Sequence, residues 1–175
     1  MKTDNIERYL NSFGKYIVKQ SRTNLTKGKK NVSKELYNSI SFKVVTDANG
    51  FSVQFYMADY GTFIDKGVSG NKQTRSYKDY KGQTITSPYK YTNKQPPSKL
   101  LDKWIVKKGI APRDEKGRFI SRKSISFLIA RSIKAKGIKS TSFFQRPMQL
   151  GLENFSKDFL GSLKKDIIEG LTTVK

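Results

Sequence analysis

The sequence predicts an α+β fold: a long N-terminal helix, an antiparallel β-hairpin or small sheet, C-terminal helices packed on it, and a long basic arm. Three observations lead there. Ile6, Tyr9, Leu10, Phe13 and Ile17 recur at helical spacing. Ile40, Phe42 and Val44, then Phe51, Val53, Phe55 and Met57, alternate with other residues at the period of a strand, on either side of Asn49 and Gly50, which suit a tight hairpin turn. Phe155, Phe159, Leu163, Ile167 and Leu171 repeat every fourth residue. At 175 residues the chain is expected to form one domain, 1–175, able to remove about 70% of its unfolded surface from water.

The elements follow in order. Asp4 and Glu7 have the spacing of a capping box, and the first helix is expected to run about five turns, ending before Thr26, Gly28 and Lys30. A short segment over 34–39 leads into the first strand. After the return strand, residues 58–67 read as a short helix or helical turn stopped by Gly67, with Phe63 and Ile64 in the core and Asp65 satisfying backbone donors. Residues 68–97 lack aliphatic periodicity apart from a short strand at 84–86, so they read as an extended or flexible arm. Ser98 is expected to cap a helix carrying Leu100, Leu101, Trp104 and Ile105, with Trp104 as a core anchor and Gly109 as its stop. A polar segment over 110–123 follows. Ser124 then caps a helix bearing Ile125, Leu128, Ile129 and Ile133 and ended by Gly137, and Pro147 opens the last helix.

Composition narrows the chemistry. The chain has 35 Lys and Arg against 14 Asp and Glu, a formal net charge of +21, and neither His nor Cys. Disulfides, His or Cys metal ligands, thiol nucleophiles and His general bases are excluded by residue type. No stretch approaches about 18 consecutive apolar residues, so no membrane span is expected, nor does the N-terminus read as a signal peptide. Mean hydropathy is -0.63, consistent with a large solvated surface.

Residues 1–60 carry 10 basic and 5 acidic groups, residues 61–140 carry 20 and 5, and residues 141–175 carry 5 and 4, so the middle of the chain holds most of the excess. Such an excess draws polyanions, DNA foremost. In the arm, Lys72, Arg75, Lys78, Lys81, Lys90 and Lys94 interleave with Tyr77, Tyr80, Tyr89 and Tyr91, a composition suited to phosphate contact and stacking, or equally to a solvated loop or to docking on a protein. Arg113, Lys116, Arg118, Arg122 and Lys123 form a second basic group facing nucleic acid or a partner. One enzyme-like pattern, Asp102 with Asp114 and Lys116, has the residue types of a Mg²⁺ nuclease site, against which stands the simpler reading of a surface charge cluster.

Thr26, Gly28, Leu36, Ser39 and Ile40 follow the first helix; Tyr60, Gly61, Phe63, Ile64, Asp65 and Gly67 follow the hairpin; Phe143, Phe144, Arg146, Pro147 and Met148 precede the final helix. In that order they resemble the motifs of the neck and tail-completion proteins of tailed bacteriophages, small minor structural proteins that join head to tail. Gly61 stands where that family usually has Ala, and Lys29, Lys30 and Asn31 lengthen the first connection. The basic arm and a helix pair at 98–108 and 124–136 are larger than the compact family pattern, as in an elaborated member.

The resemblance implies a non-enzymatic virion subunit without cofactor, made in the host bacterial cytoplasm. It would assemble into a homo-oligomeric ring connecting the head, at its portal, to the tail around the DNA channel. Its partners would be its own copies, adjacent portal, connector or tail proteins and packaged double-stranded DNA, with no membrane. The alternative from composition is a cytoplasmic nucleic-acid-binding protein.

Overall fold

Helix α1, Asp4–Lys27, turns Ile6, Leu10, Phe13, Ile17 and Leu25 inward, and each is buried. The computed structural model describes residues 3–28, 33–47 and 50–172. At 24 residues α1 is nearly seven turns, longer than the apolar spacing alone predicts, because Ser21 and Leu25 continue the buried face beyond Ile17. The expected capping box is absent. Thr3 occupies the cap position, Asp4 lies within the first turn, and Thr3 Oγ1 donates to Glu7 Oε1 at 3.2 Å.

The fold is α+β, and the chain groups into two compact units. Unit 1 comprises Met1–Asp59, Asp79–Gln83 and Phe143–Lys175; unit 2 comprises Tyr60–Lys78 and Thr84–Ser142.

In unit 1, α1 is followed by α2, Glu35–Ser39, and by strands β1, Ser41–Asp47, and β2, Gly50–Tyr56, which pair antiparallel with Phe42 opposite Phe55 and Val44 opposite Val53. Asp47 pairs with Gly50, so Gly50 closes the ladder as a strand residue, and Asn49 lies outside the described residues, as do Lys29, Lys30 and Asn31. An aromatic cluster joins the layers. Phe13 meets Phe155 edge-on at 5.0 Å between ring centroids and Phe55 at 6.4 Å, and Phe55 meets Phe144 at 5.4 Å, the offset geometry that ring quadrupoles favour.

The last helix is two. Helix α6, Gln145–Leu152, holds buried Pro147 in its first turn, where a missing N–H leaves no intrahelical bond unmade, and α7 runs Phe155–Thr172. The four-residue stripe of α7 is half-buried at Phe155, Phe159 and Leu163 but leaves Ile167 and Leu171 exposed. The buried residue at that end of α7 is Asp166. Its Oδ1 accepts from the Asn5 N–H at 3.0 Å and the Asn5 side-chain amide at 2.9 Å, and its Oδ2 accepts from the Ile6 N–H at 3.0 Å. The carboxylate thus caps α1 from the far end of the sequence.

In unit 2, α3, Gly61–Lys66, ends at Gly67, whose positive φ of 74° stops it as expected. Phe63 departs from its expected core position: it is 41% exposed, with its ring against Tyr89. Residues 68–97 are tied into the unit over most of their length rather than extended. Val68 bridges Ile138, Ser69 bridges Lys90, and β3, Ser76–Lys78, pairs antiparallel with β4, Thr84–Thr86.

Helix α4, Lys99–Lys107, buries Ile105, which puts Trp104, one residue around the helix, at 37% exposure instead of in the core. Ser98 is its cap residue by position but makes no side-chain capping bond. Helix α5, Arg122–Lys136, is capped by Ser121, whose Oγ accepts from the Ser124 N–H at 3.2 Å, so the cap lies three residues before the one the sequence suggests. Gly137, with φ of 73°, ends α5 and lets its backbone close on Val68 and Gly70 with no room for a Cβ.

Burial pushes the Asp166 carboxyl upward, but the Asn5 and Ile6 N–H groups, the Asn5 amide and the Arg8 charge outweigh it and hold the group below its ordinary value. A lowered folded-state value gives stability that is present in full above the unfolded value of about 3.9 and is lost as pH falls through the folded one. Asp166→Asn is therefore expected to melt at lower temperature than wild type at neutral pH, with the two converging in acid. Thermal melts at stepped pH check this, and a gap that stays constant into acid would show that the charge contributes nothing.

Candidate polyanion and partner interface

The basic residues of the middle segment have specific structural settings. Around the C-terminal turn of α5, the Asn71 N–H donates to Lys134 O at 2.9 Å, the Lys72 N–H to Ala135 O at 3.0 Å, and Arg75 Nε to Lys136 O at 2.9 Å. These donors satisfy carbonyls that a helix end leaves without intrahelical partners, and Arg75 also sets its cation at the negative end of the helix dipole. Lys134 Nζ reaches Asn93 O at 2.7 Å. Lys72, Lys90 and Lys94 are exposed, with Lys90 in the bridge to Ser69 and Lys94 in the loop that follows.

The tyrosines are mostly packed. Tyr77 is half-buried with Lys66 Nζ 5.8 Å from its ring centroid, Tyr89 lies edge-on to Phe63 at 4.5 Å, and burial raises the Tyr91 phenol above its ordinary value. Only Tyr80 among the four is exposed, at 45%, with Lys81 Nζ 5.8 Å from its ring. Tyr80 therefore offers more open ring surface than the half-buried Tyr77, Tyr89 and Tyr91. Lys78 is exposed at the end of β3.

Two turns share one construction. In Asp79–Gln83 the Asp79 N–H donates to Gln83 O at 2.9 Å and the Gly82 N–H to Asp79 O at 3.0 Å, while Asp79 Oδ1 accepts from the Lys81 and Gln83 N–H groups at 2.9 and 2.8 Å. In residues 114–118 the Asp114 N–H donates to Arg118 O at 2.8 Å and the Gly117 N–H to Asp114 O at 2.9 Å, while Asp114 Oδ1 accepts from the Lys116 and Arg118 N–H groups at 3.0 and 2.8 Å. Gly82 and Gly117 have φ of 79° and 76°, the left-handed geometry of a three-residue hairpin loop with a glycine bulge. Sequence reasoning passed over this repeat, although the shared pattern Asp-x-Lys-Gly-x was its visible signal. Each turn carries a lysine, Lys81 or Lys116, at the same place.

This setting also accounts for Asp114. Its two oxygens accept from Lys116, from Arg118 N–H and from Arg118 Nε at 3.0 Å, while Asp102 faces Arg122 at 3.8 Å. The two carboxylates of the nuclease-like pattern are thus each matched with an arginine, and among the described residues no group of three or more His, Cys, Asp or Glu gathers. Arg113 lies 3.9 Å from the Phe119 ring centroid and donates to Gly117 O at 2.7 Å, bracing the turn from outside. Lys123 is exposed in the first turn of α5.

Apolar surface accompanies this charge. Leu100, Val106, Phe119, Phe127 and Leu128 are all at least half exposed on unit 2, on or beside α4 and α5. On unit 1, α7 exposes Leu160, Ile167, Ile168 and Leu171.

The remaining motif residues are structural. Ser39 Oγ donates to Leu36 O at 2.9 Å and accepts from the Ala58 N–H at 3.0 Å, joining the end of α2 to the residues after β2. Ile40 is fully buried, and the Phe143 carbonyl accepts from Asn24 Nδ2. Asp65 is buried, and its carbonyl accepts from the Thr141 and Ser142 N–H groups. Ile64 is half-buried, Gly61 is buried, and Tyr60 is the residue preceding α3.

Asp114→Ala is expected to speed amide exchange at Lys116 and Arg118 while changing global stability by less than about 1 kcal/mol, since the bonds lost lie in an exposed turn. Asp79→Ala is expected to speed exchange at Lys81 and Gln83 likewise, with a larger loss of global stability because Asp79 is buried. Site-resolved hydrogen exchange checks both, and unchanged protection at those amides would refute the shared construction. No family model, curated protein or solved structure matches the chain.

Proposed function

We propose that the chain is a structural virion protein, a ring-forming neck or tail-completion subunit that joins a phage head at its portal to the tail around the DNA channel. The observation that carries the reading is the set of large apolar side chains left exposed on α4 and α5 in unit 2 and on α7 in unit 1, since exposed apolar surface is what a protein–protein contact buries. The order of elements supports it: a long helix, a hairpin, the 60–67 motif, and Phe144 with Pro147 packed ahead of a long helix. The residue types of the chain supply no His or Cys catalysis.

Charge sets the conditions for assembly. Identical subunits at +21 repel one another, and the repulsion is screened beyond roughly 8 Å at physiological salt while apolar burial is not weakened by salt. Residues 98–136 alone hold 12 basic and 3 acidic groups around the apolar surface of α4 and α5, which suits an acidic neighbour, a portal or tail ring, or packaged DNA.

Light scattering after size exclusion is expected to give a mass that rises from low to high salt, with rings that have a central opening in negative stain. A monomer at every salt and concentration that also fails to bind an isolated portal ring would overturn the reading. It would favour the second one, a cytoplasmic nucleic-acid-binding protein, to which the acid-free basic stretch at 8–34 also points.

A further inference from the structure

Between Arg8 and Lys34 the chain has eight basic residues and not one Asp or Glu. Most of this stretch is α1, whose apolar face is buried, so the cations collect on the opposite side. There Lys15, Lys19, Arg22 and Lys27 line a groove of about 700 Å³ floored by Tyr37 and Phe42. All of these residues belong to unit 1.

Arg22 is the fixed cation of the groove. Its Nη2 donates to Ile40 O at 2.9 Å, and its guanidinium lies 5.2 Å from the Tyr37 ring centroid. Its Nε is buried and has no partner, so the hydrogen-bonding capacity of the group is not filled within the protein. Among the described residues no ion pair neutralises any of the four cations, and no carboxylate lines the groove.

We infer that this groove is a binding site for the phosphodiester backbone of duplex DNA. Lys15 to Lys27 spans twelve residues, about 18 Å along the helix axis. That length exceeds a single phosphate and, at one phosphate per strand for about every 3.4 Å of duplex axis, is enough to meet several phosphates. The cations contact backbone and carry no base information, so binding is independent of sequence. The site lies outside both basic groups of the middle segment and does not depend on assembly into a ring.

The test uses the full chain and a fluorescently labelled duplex, with anisotropy read over a series of salt concentrations. One variant is Lys15→Gln, Lys19→Gln and Lys27→Gln together. Its control, Lys157→Gln, Lys164→Gln and Lys165→Gln on α7, removes the same charge from exposed positions elsewhere in unit 1. The groove variant is expected to bind at least about tenfold more weakly near 0.1 M salt, with the slope of log affinity against log salt shallower by about 2.7, the loss of three phosphate contacts. The control is expected to keep the wild-type slope. Equal effects of the two variants, or wild-type protein that does not bind duplex, would overturn the inference. So would groove-dependent binding to phosphatidylserine vesicles without binding to duplex. Matching circular dichroism and melting temperatures of the two variants ensure that folding is not the cause.

Discussion

The position of α1 depends on a single buried carboxylate. A helix start exposes N–H groups with no intrahelical acceptor, and in α1 those of Asn5 and Ile6 end on Asp166. The residue at the cap position, Thr3, directs its hydroxyl to Glu7 and makes no side-chain capping bond, so the local sequence does not do this work. Because the acceptor is near the end of α7, the same bonds that complete α1 hold the two long helices in register. The aromatic cluster of Phe13, Phe55, Phe144 and Phe155 then packs at the other end of their contact, and the hairpin closes over it. An anion at a helix N-terminus is favoured by the dipole, which is why a carboxylate is tolerated at 1% exposure there.

Unit 2 follows a different logic, in which backbone closes on backbone. The end of α5 is covered by the segment that begins at Val68, and Gly70 and Gly137 are the residues that permit the approach. This is what draws most of residues 68–97 into the fold. The segment has few aliphatic residues because it contributes donors and carbonyls to the helix end instead of side chains to a core. Its charge and its order are therefore compatible: Arg75 caps a helix, while Lys72, Lys90 and Lys94 stay in solvent.

These two modes explain what could be read from the chain. Strand alternation located β1 and β2 nearly to the residue, because a hairpin with one packed face writes its period of two directly into Phe42, Val44, Val53 and Phe55. The α1 stripe was equally plain. Asp166 could not be read as a cap, since its partners lie about 160 positions away and a lone acid on a helix has no local signature. Trp104 and Phe63 misled because size and apolarity argue for burial, whereas the helix phase at each site favours a neighbour: Ile105 in α4, and Gly61 and Asp65 in α3. The basic side of α1 was hidden by averaging, since the five acids of residues 1–60 all fall outside 8–34 and cancel half of the charge in the sum.

Charge and apolar surface together constrain what the protein can associate with. The uncovered apolar residues of unit 2 lie among twelve basic and three acidic groups, so any contact that buries them also brings those cations close to the partner. Against a second identical face the cost rises as water leaves, because repulsion strengthens where the dielectric falls. Against an acidic face the same cations aid binding and raise the rate of encounter. Self-assembly through α7 is less restricted, since residues 141–175 carry five basic and four acidic groups and expose Leu160, Ile167, Ile168 and Leu171. On the proposed reading, the near-neutral C-terminal helix would take a like subunit, and the basic α4 and α5 surface an unlike, acidic neighbour.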